Sequence, residues 1–316
     1  MTEHRDPVAT AFAEELGRIA VGPATSFNGH TLFPLSWNEE HETGVLLADE
    51  TEDRTVLEIL ENPRGPEVQT IYVRNPSEQP VLLAEGTIIR GAMQNRVVHV
   101  SVVLEPKGKA KIPVSCVERG RWHWVSKNFL PEDIAPRTLR ATIQAYRTDT
   151  TKHGLQSKVW HLVSRSLKIA SVHSPTEDLA SLMETVRHRY GEQRKALGEW
   201  FDQQLRARSV GLMAFCNGSF AGLEVFGEPE HWKKRVPRLI DALLADWMIF
   251  AEFRPGPSGA EPDPKSVLTA VAQGARQRVE PIARSEEIDI QGDTLSGNAV
   301  LYKGKVSHLS VFASLT

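Results

Sequence analysis

Two short stretches of the sequence collect side chains that could grip an anion. One is Gln94-Asn95-Arg96, reached from Glu85 through the run that ends at Gly91. The other is Cys116-Val117-Glu118-Arg119-Gly120-Arg121-Trp122. A guanidinium is a planar fork whose N–H groups match carboxylate or phosphate oxygens in pairs, so Arg96, Arg119 and Arg121 are the candidates to hold negative charge. Gln94 and Asn95 offer paired donors and acceptors to orient a ligand. Trp122 offers a stacking face. Glu118 or Glu85 could act as a general base if a hydroxyl or water is placed beside it. Gly91 and Gly120 fit turns that need positive φ, and Cys116 fits a small buried position. The same residues also admit a structural reading: Arg96 or Arg119 pairs with Glu118 or Glu85 in a buried ion network that orders a corner, and Trp122 and Trp124 act as packed anchors.

Those residues need an element to bring them together. The run 96–104 alternates Val98, Val100 and Val102 with Val97, His99, Ser101 and Val103, and reads as a strand apolar on both faces, central in its sheet. Pro106-Lys107-Gly108 predicts a turn into a second strand over 109–115. In such a hairpin the start of the first strand and the end of the second share one sheet edge, which places Gln94, Asn95 and Arg96 beside Cys116, Glu118, Arg119 and Arg121.

Around this hairpin the periodicity changes three times. Val8, Phe12, Leu16 and Ile19 predict a helix over 7–20, stopped by Gly22-Pro23. Short apolar runs at 30–35, 55–60, 68–73 and 80–83, separated by Pro/Gly/Asn clusters, predict strands. Helices are expected at 155–172 and, after Ser174-Pro175-Thr176-Glu177, at 178–207, forming an antiparallel pair. Strands 209–216 and 219–225 flank Asn217-Gly218, a strong hairpin signal. Helices at 230–250 and 266–279, a surface loop over 254–264 and a last hairpin around Lys303-Gly304 complete the chain. The expected fold is α+β: an antiparallel β-rich N-terminal unit, a helical hairpin in the middle, and a C-terminal β-hairpin and helix portion packed back on it. The corresponding segments are 1–20, 21–130, 131–208 and 209–316, taken as one composite domain.

Composition narrows the function classes. No window approaches the roughly 18 apolar residues of a membrane span, and the first residues lack the apolar core of a secretory signal. The cysteines, Cys116 and Cys216, are no disulfide framework, which points to a reducing, cytoplasmic compartment. No phosphate loop, dinucleotide fingerprint, zinc-protease helix or nucleophile elbow occurs. The histidines lack metal-ligand spacing, so no metal and no cofactor is assigned. The net charge of −3 is unevenly spread: residues 1–84 carry 5 Lys/Arg against 15 Asp/Glu, whereas residues 85–170 carry 15 against 6, a surplus of nine. Such a basic middle could attract an anionic small molecule, or the two parts neutralise one another internally. A pI near 6.4 and cations diluted among strands disfavour nucleic acid. The oligomeric state is left open.

The run 84–96 followed by 112–122 resembles the hallmark of a bacterial domain family named for genomic association with ADP-ribosylglycohydrolases and rhodanese-phosphatases. The strand 210–215, the Asn217-Gly218 turn and Gly222-Leu223-Glu224-Val225-Phe226 are compatible with it, so the resemblance spans roughly 20–255. It supplies no mechanism; by association it implies chemistry near ADP-ribose, nucleotides or phosphate esters. The expected function is therefore a binding or sensing module for an anionic, nucleotide-like ligand. The alternatives are a hydrolase or transferase with Glu118 or Glu85 as base, and a structural scaffold or protein-interaction domain.

Overall fold

The computed structural model describes residues 6–27, 29–50, 57–147, 154–250, 261–283 and 285–314, and among them are seven α-helices and eighteen strands in an α+β arrangement. The first helix, α1 (Pro7–Leu16), is capped by the Asp6 carboxylate, which accepts from the Val8 and Ala9 N–H groups. It stops earlier than its periodicity predicts. Ile19 and Ala20 instead lie in β1 (Ile19–Val21), where Ile19 pairs with Trp37 of β3 (His30–Trp37), and β2 (Thr25–Phe27) pairs further along the same strand. Burying Ile19 in a sheet outweighs one more helical turn.

The next segment builds a barrel. Its small strands are β4 (Leu46–Leu47), β5 (Glu58–Leu60), β6 (Thr70–Arg74), β7 (Val81–Leu83), β8 (Thr87–Gly91), β9 (Arg96–Val98) and β10 (Val102–Leu104), followed by the longer β11 (Lys109–Cys116) and β12 (Asn128–Ile134). Six of them close in the order β11-β6-β5-β12-β8-β9, and β10, β7 and β4 form a separate three-stranded sheet. The run 96–104 is thus two strands, not one. His99 and Ser101 turn their side chains to Ser115 and His308, and the chain leaves the barrel between Val98 and Val102.

Helices α2 (Arg137–Tyr146), α3 (Gly154–Ile169), α4 (Leu179–Arg189) and α5 (Gly191–Arg206) follow. The expected single helix over 178–207 is bent at Tyr190, and the bend has a purpose. Arg187 of α4 and Arg194 of α5 both reach Asp241 of α6 (Pro229–Phe250), at 2.8 and 2.7 Å. Strand β12 and helix α2 are not among the elements expected from the sequence. No local side chain caps α2; Asp246 of α6 does so, accepting from the Arg137 and Thr138 N–H groups at 2.7 and 3.1 Å.

The remaining elements are β13 (Gly211–Cys216), β14 (Ser219–Phe226), α7 (Pro264–Gly274), β15 (Ala275–Gln277), β16 (Glu286–Gln291), β17 (Leu295–Tyr302) and β18 (Lys305–Ala313). With β1, β2 and β3 they make a nine-stranded antiparallel sheet in the order β1-β3-β13-β14-β18-β17-β16-β15, with β2 on β3. The two ends of the chain therefore share one sheet. Both hairpin turns form as expected, with positive φ at Asn217, Gly218, Lys303 and Gly304. Of the loop expected over 254–264, residues 254–260 lie outside the described residues, and α7 begins at Pro264 rather than 266. One face of the large sheet packs on α1 and α7. The other joins α2 to α6 and the outside of the barrel through Leu212, Ile143, Val163, Leu244, Ile88 and Val97. The barrel keeps its own interior around Ile71, Val98, Ile112 and Phe129.

Candidate functional site

The two motifs come together, at one end of a strand pair inside the closed barrel rather than at a free sheet edge. Strand β11 pairs with β9 in the register Val114↔Val98, Ser115↔Val97 and Cys116↔Arg96, so the two motifs meet. Gly91 and Ala92 enter the connecting turn with φ of 122° and 42°. A Cβ on Gly91 would collide with Ser126 Oγ and the Asn128 carbonyl. Gly120 does not have positive φ, contrary to expectation. It is required for close approach: its N–H donates to the Thr176 carbonyl at 2.8 Å, and a Cβ would lie 2.9 Å from Thr176 Cα.

Most of the charged motif residues are buried and bonded to one another. Arg96 is fully buried; its guanidinium reaches Glu61 Oε1 at 3.2 Å and Gln94 Oε1 at 3.3 Å, and also abuts Cys116 Sγ. Burial pushes the Cys116 thiol up to about 11, outweighing the opposing pull of Arg96. Gln156 of α3 holds the Cys116 backbone from both sides, accepting its N–H and donating to its carbonyl at 2.9 Å each. A second cluster adjoins the first. Arg121 donates through Nε to Glu118 Oε2 at 2.8 Å, through Nη1 to the Ala92 carbonyl at 2.8 Å and through Nη2 to Asn95 Oδ1 at 3.1 Å. Glu118 Oε2 also accepts the Asn95 N–H, and Asn95 Nδ2 donates to Asp178 Oδ2 at 3.0 Å. Burial raises the Asp178 pKa, and the nearby Glu118 adds to the rise.

The surface above these clusters is different. Every residue from Trp122 to Lys127 is exposed, with Trp122 49%, Trp124 54% and Val125 57% accessible. Arg119 is also exposed; it lies 5.7 Å from the Trp160 ring centre and 3.6 Å from Glu177. The loop is nonetheless fixed. Trp122 covers Arg96 at 5.7 Å, Val125 N–H donates to the Ala92 carbonyl at 3.1 Å, and Ser126 Oγ bridges the Ala92 N–H and the Asn128 carbonyl. Of the six expected ligand-binding residues, Arg119 and Trp122 face solvent, while Gln94, Asn95, Arg96 and Arg121 form the support beneath.

Glu85 belongs to another place altogether. It is fully buried and accepts from Arg140 Nη2 and Nε at 2.7 and 3.0 Å, while Arg140 also donates to both oxygens of Glu224. His308 Nε2 donates to Glu224 Oε1 at 3.2 Å, which leaves Nδ1 to accept the Ser101 hydroxyl at 2.6 Å; Ser101 Oγ in turn accepts the Glu85 N–H. Burial alone would raise the Glu224 pKa, but Arg140 and His308 hold it well below the usual carboxylate range. The serine–histidine–carboxylate order resembles a nucleophile relay. Ser101 is sealed in the interior, however, so no substrate reaches it. A cleft of about 40 Å³ beside Arg140, Glu224, Arg137 and Asp246 has room for only a few water molecules. This network was missed from sequence, although Glu224 in the middle of an apolar strand is the signal that could have revealed it.

Acid should weaken this interior. Burial, reinforced by the Arg147 charge, lowers the His99 pKa from 6.5 to about 3, and burial lowers that of His308 as well. Between about 6.5 and 3 the unfolded chain binds a proton at His99 that the folded protein does not, and the lowered His308 acts in the same direction. Stability should therefore fall as pH drops through that window, by up to about 1.4 kcal/mol per pH unit for His99, with His308 adding to the fall. Urea titrations at stepped pH would show the slope, and a flat profile from pH 6.5 to 4 would refute it.

The fold and the edge define an α+β protein in which a locked polar corner of a small barrel supports an exposed aromatic loop. Its family follows from comparison: the chain belongs to the family of the ARG and Rhodanese-Phosphatase-superfamily-associated Protein domain, whose model matches residues 18–312. No curated protein and no solved structure matches it. Among the described residues no helix is long and apolar enough to cross a membrane.

Proposed function

We propose that this protein is a cytoplasmic binding or sensing module for an anionic, nucleotide-like ligand, held at the loop 119–127. One observation carries the reading: two half-exposed tryptophans and an exposed arginine sit on a loop whose backbone is pinned by buried ion pairs. Rigid aromatic faces lose little freedom when a ring stacks on them, and a guanidinium beside them suits a phosphate. Trp122 and Trp124 stack the ligand and Arg119 meets its charge. Arg96, Arg121, Gln94, Asn95 and Glu118 preorganise the loop. Neither Glu118 nor Glu85 is assigned a general-base role, because each is buried against an arginine. The family description names association with ARG and rhodanese-phosphatase-superfamily proteins, so ADP-ribose and phosphate esters head the candidate ligands.

A thermal-shift panel of ADP-ribose, mononucleotides and phosphosugars tests this. A true ligand at a hundredfold excess over its Kd should add about 2.7 kcal/mol of stability. Trp122→Ala should abolish that gain while leaving the unliganded protein folded. If no compound in the panel stabilises the protein, the reading fails. Val125, exposed beside the tryptophans, favours a protein partner as the second reading.

A further inference from the structure

The surplus of positive charge in residues 85–170 is partly consumed inside the fold. Arg96, Arg121, Arg140 and Arg147 pair with Glu61, Glu118, Glu85 with Glu224, and Asp289, and on the surface Lys107 and Lys111 pair with Glu78 and Glu67. Helix α3 keeps its cations outside. Its exposed positions Lys158, His161, Arg165 and Lys168 recur at intervals of three, four and three residues. At 3.6 residues per turn this confines them to a stripe about 80° wide. No aspartate or glutamate occurs between Asp149 and Glu177. Solvated helix faces usually alternate the two signs, because like charges three or four residues apart destabilise a helix. Arg165 and Lys168 stand at that spacing, so this acid-free basic stripe is retained against a cost in helix stability.

The stripe continues into the tryptophan loop. The opposite side of α3 is packed through Val159, Val163, Leu167 and the Gln156 clasp on Cys116, so the stripe faces water. Going round the helix from Lys168 and His161, one passes Ser157 and Ser164 and reaches Trp160. Arg119 lies over Trp160, and the chain then leads through Gly120 to Trp122 and Trp124. Glu177 is the acid on this path; it pairs with Arg119 and accepts from Ser164 Oγ at 3.4 Å.

We propose that the solvent face of α3 and the loop 119–127 form one continuous surface for single-stranded RNA or DNA. Phosphates lie along Lys158 and Lys168, and bases stack on Trp122 and Trp124. Serial cations beside stacking aromatics are what a single strand needs and a mononucleotide does not use in full. The basic residues of 85–170 are not all diluted among strands, since α3 arrays several of them on one face. The inference rests on the nucleotide reading of the loop and extends it, because the ligand becomes a chain of nucleotides.

Fluorescence anisotropy of a labelled oligothymidylate of about twelve nucleotides provides the test, with AMP, ADP-ribose and polyglutamate as competitors. Lys158→Glu with Lys168→Glu, both exposed, should weaken oligonucleotide binding at least about tenfold. It should also flatten the dependence of log K on log salt by about 0.7 per lost phosphate contact. Loop binding of AMP or ADP-ribose should be unchanged. If the oligonucleotide binds no tighter than the mononucleotide, or the double variant keeps its affinity and salt slope, this inference is overturned while the loop reading stands. If polyglutamate competes as well as the oligonucleotide, the face takes an acidic protein segment instead. If neither nucleotides nor oligonucleotides bind, the loop reading itself falls.

Discussion

Replacing Arg140 with alanine is expected to destabilise the protein by about 5 kcal/mol or more, at the upper end of what breaking a buried ion pair costs. Arg140 is fully buried between two carboxylates, Glu85 at 2.7 Å and Glu224 at 2.9 Å, and its guanidinium lies 4.7 Å from the Phe312 ring centre. The substitution strands two negative charges in the interior where one cation had served both. It also removes the group that keeps Glu224 ionised, so His308 loses a charged acceptor and the contact relayed to Ser101 loosens. Since a folded domain is stable by only about 5–15 kcal/mol, the variant should be largely unfolded or isolated only with its transition shifted far toward low urea. Adding Glu85→Gln and Glu224→Gln should restore much of the loss by removing the stranded charges. A loss below about 1 kcal/mol for Arg140→Ala would show that water reaches the network and screens it.

Glu118→Ala is expected to have the second largest effect, about 3–5 kcal/mol, with a functional consequence that Arg140→Ala lacks. The Glu118 carboxylate anchors Arg121, and Arg121 holds the carbonyls of Gly91 and Ala92 that fix the loop. Without it, Arg121 is a buried cation facing only carbonyls and the Asn95 amide. Trp122 and Trp124 should then lose their fixed orientation, seen as faster proteolysis between 119 and 127 and as weakened ligand binding even below the unfolding transition. Trp122→Ala makes the contrast: it loses a half-exposed ring and its contact over Arg96 but strands no buried charge, so binding should fall at a smaller cost in stability and with the fold intact. Equal stability of Glu118→Ala and the parent protein would mean that the corner does not organise the loop.

The hairpin turns illustrate what a single strand of sequence can specify. Asn217, Gly218 and Gly304 are residue types that tolerate positive φ, Lys303 is carried into it by its turn, and the alternation on either side sets the pairing. The meeting of Arg96 with Cys116 also follows from local pattern, although the two strands turn out to be joined through a detour into another sheet. Helix α2 is the counter-example. Its N-terminal groups are satisfied by Asp246, more than a hundred residues away, and its arginine and threonine side chains find partners only inside the assembled molecule. Leu139, Ile143 and Tyr146 keep helical spacing, but no local cap marks where the helix begins.

Periodicity and turn chemistry act over a few residues, so the α+β class, most of the individual elements and the meeting of the two motifs are legible in local pattern. The sequence also marked Arg119 and Trp122, without distinguishing them from their neighbours. Only the tertiary structure decided which motif residues are buried and which are presented. Arg96 meets Glu61 just past the end of β5, Asn95 meets Asp178 at the start of α4, and Glu85 meets an arginine of α2. A charged side chain reads the same in sequence whether it waits for a ligand or for another part of the chain. Its burial depends on those distant partners, since a charge enters the interior only where a counter-charge and hydrogen bonds are already provided.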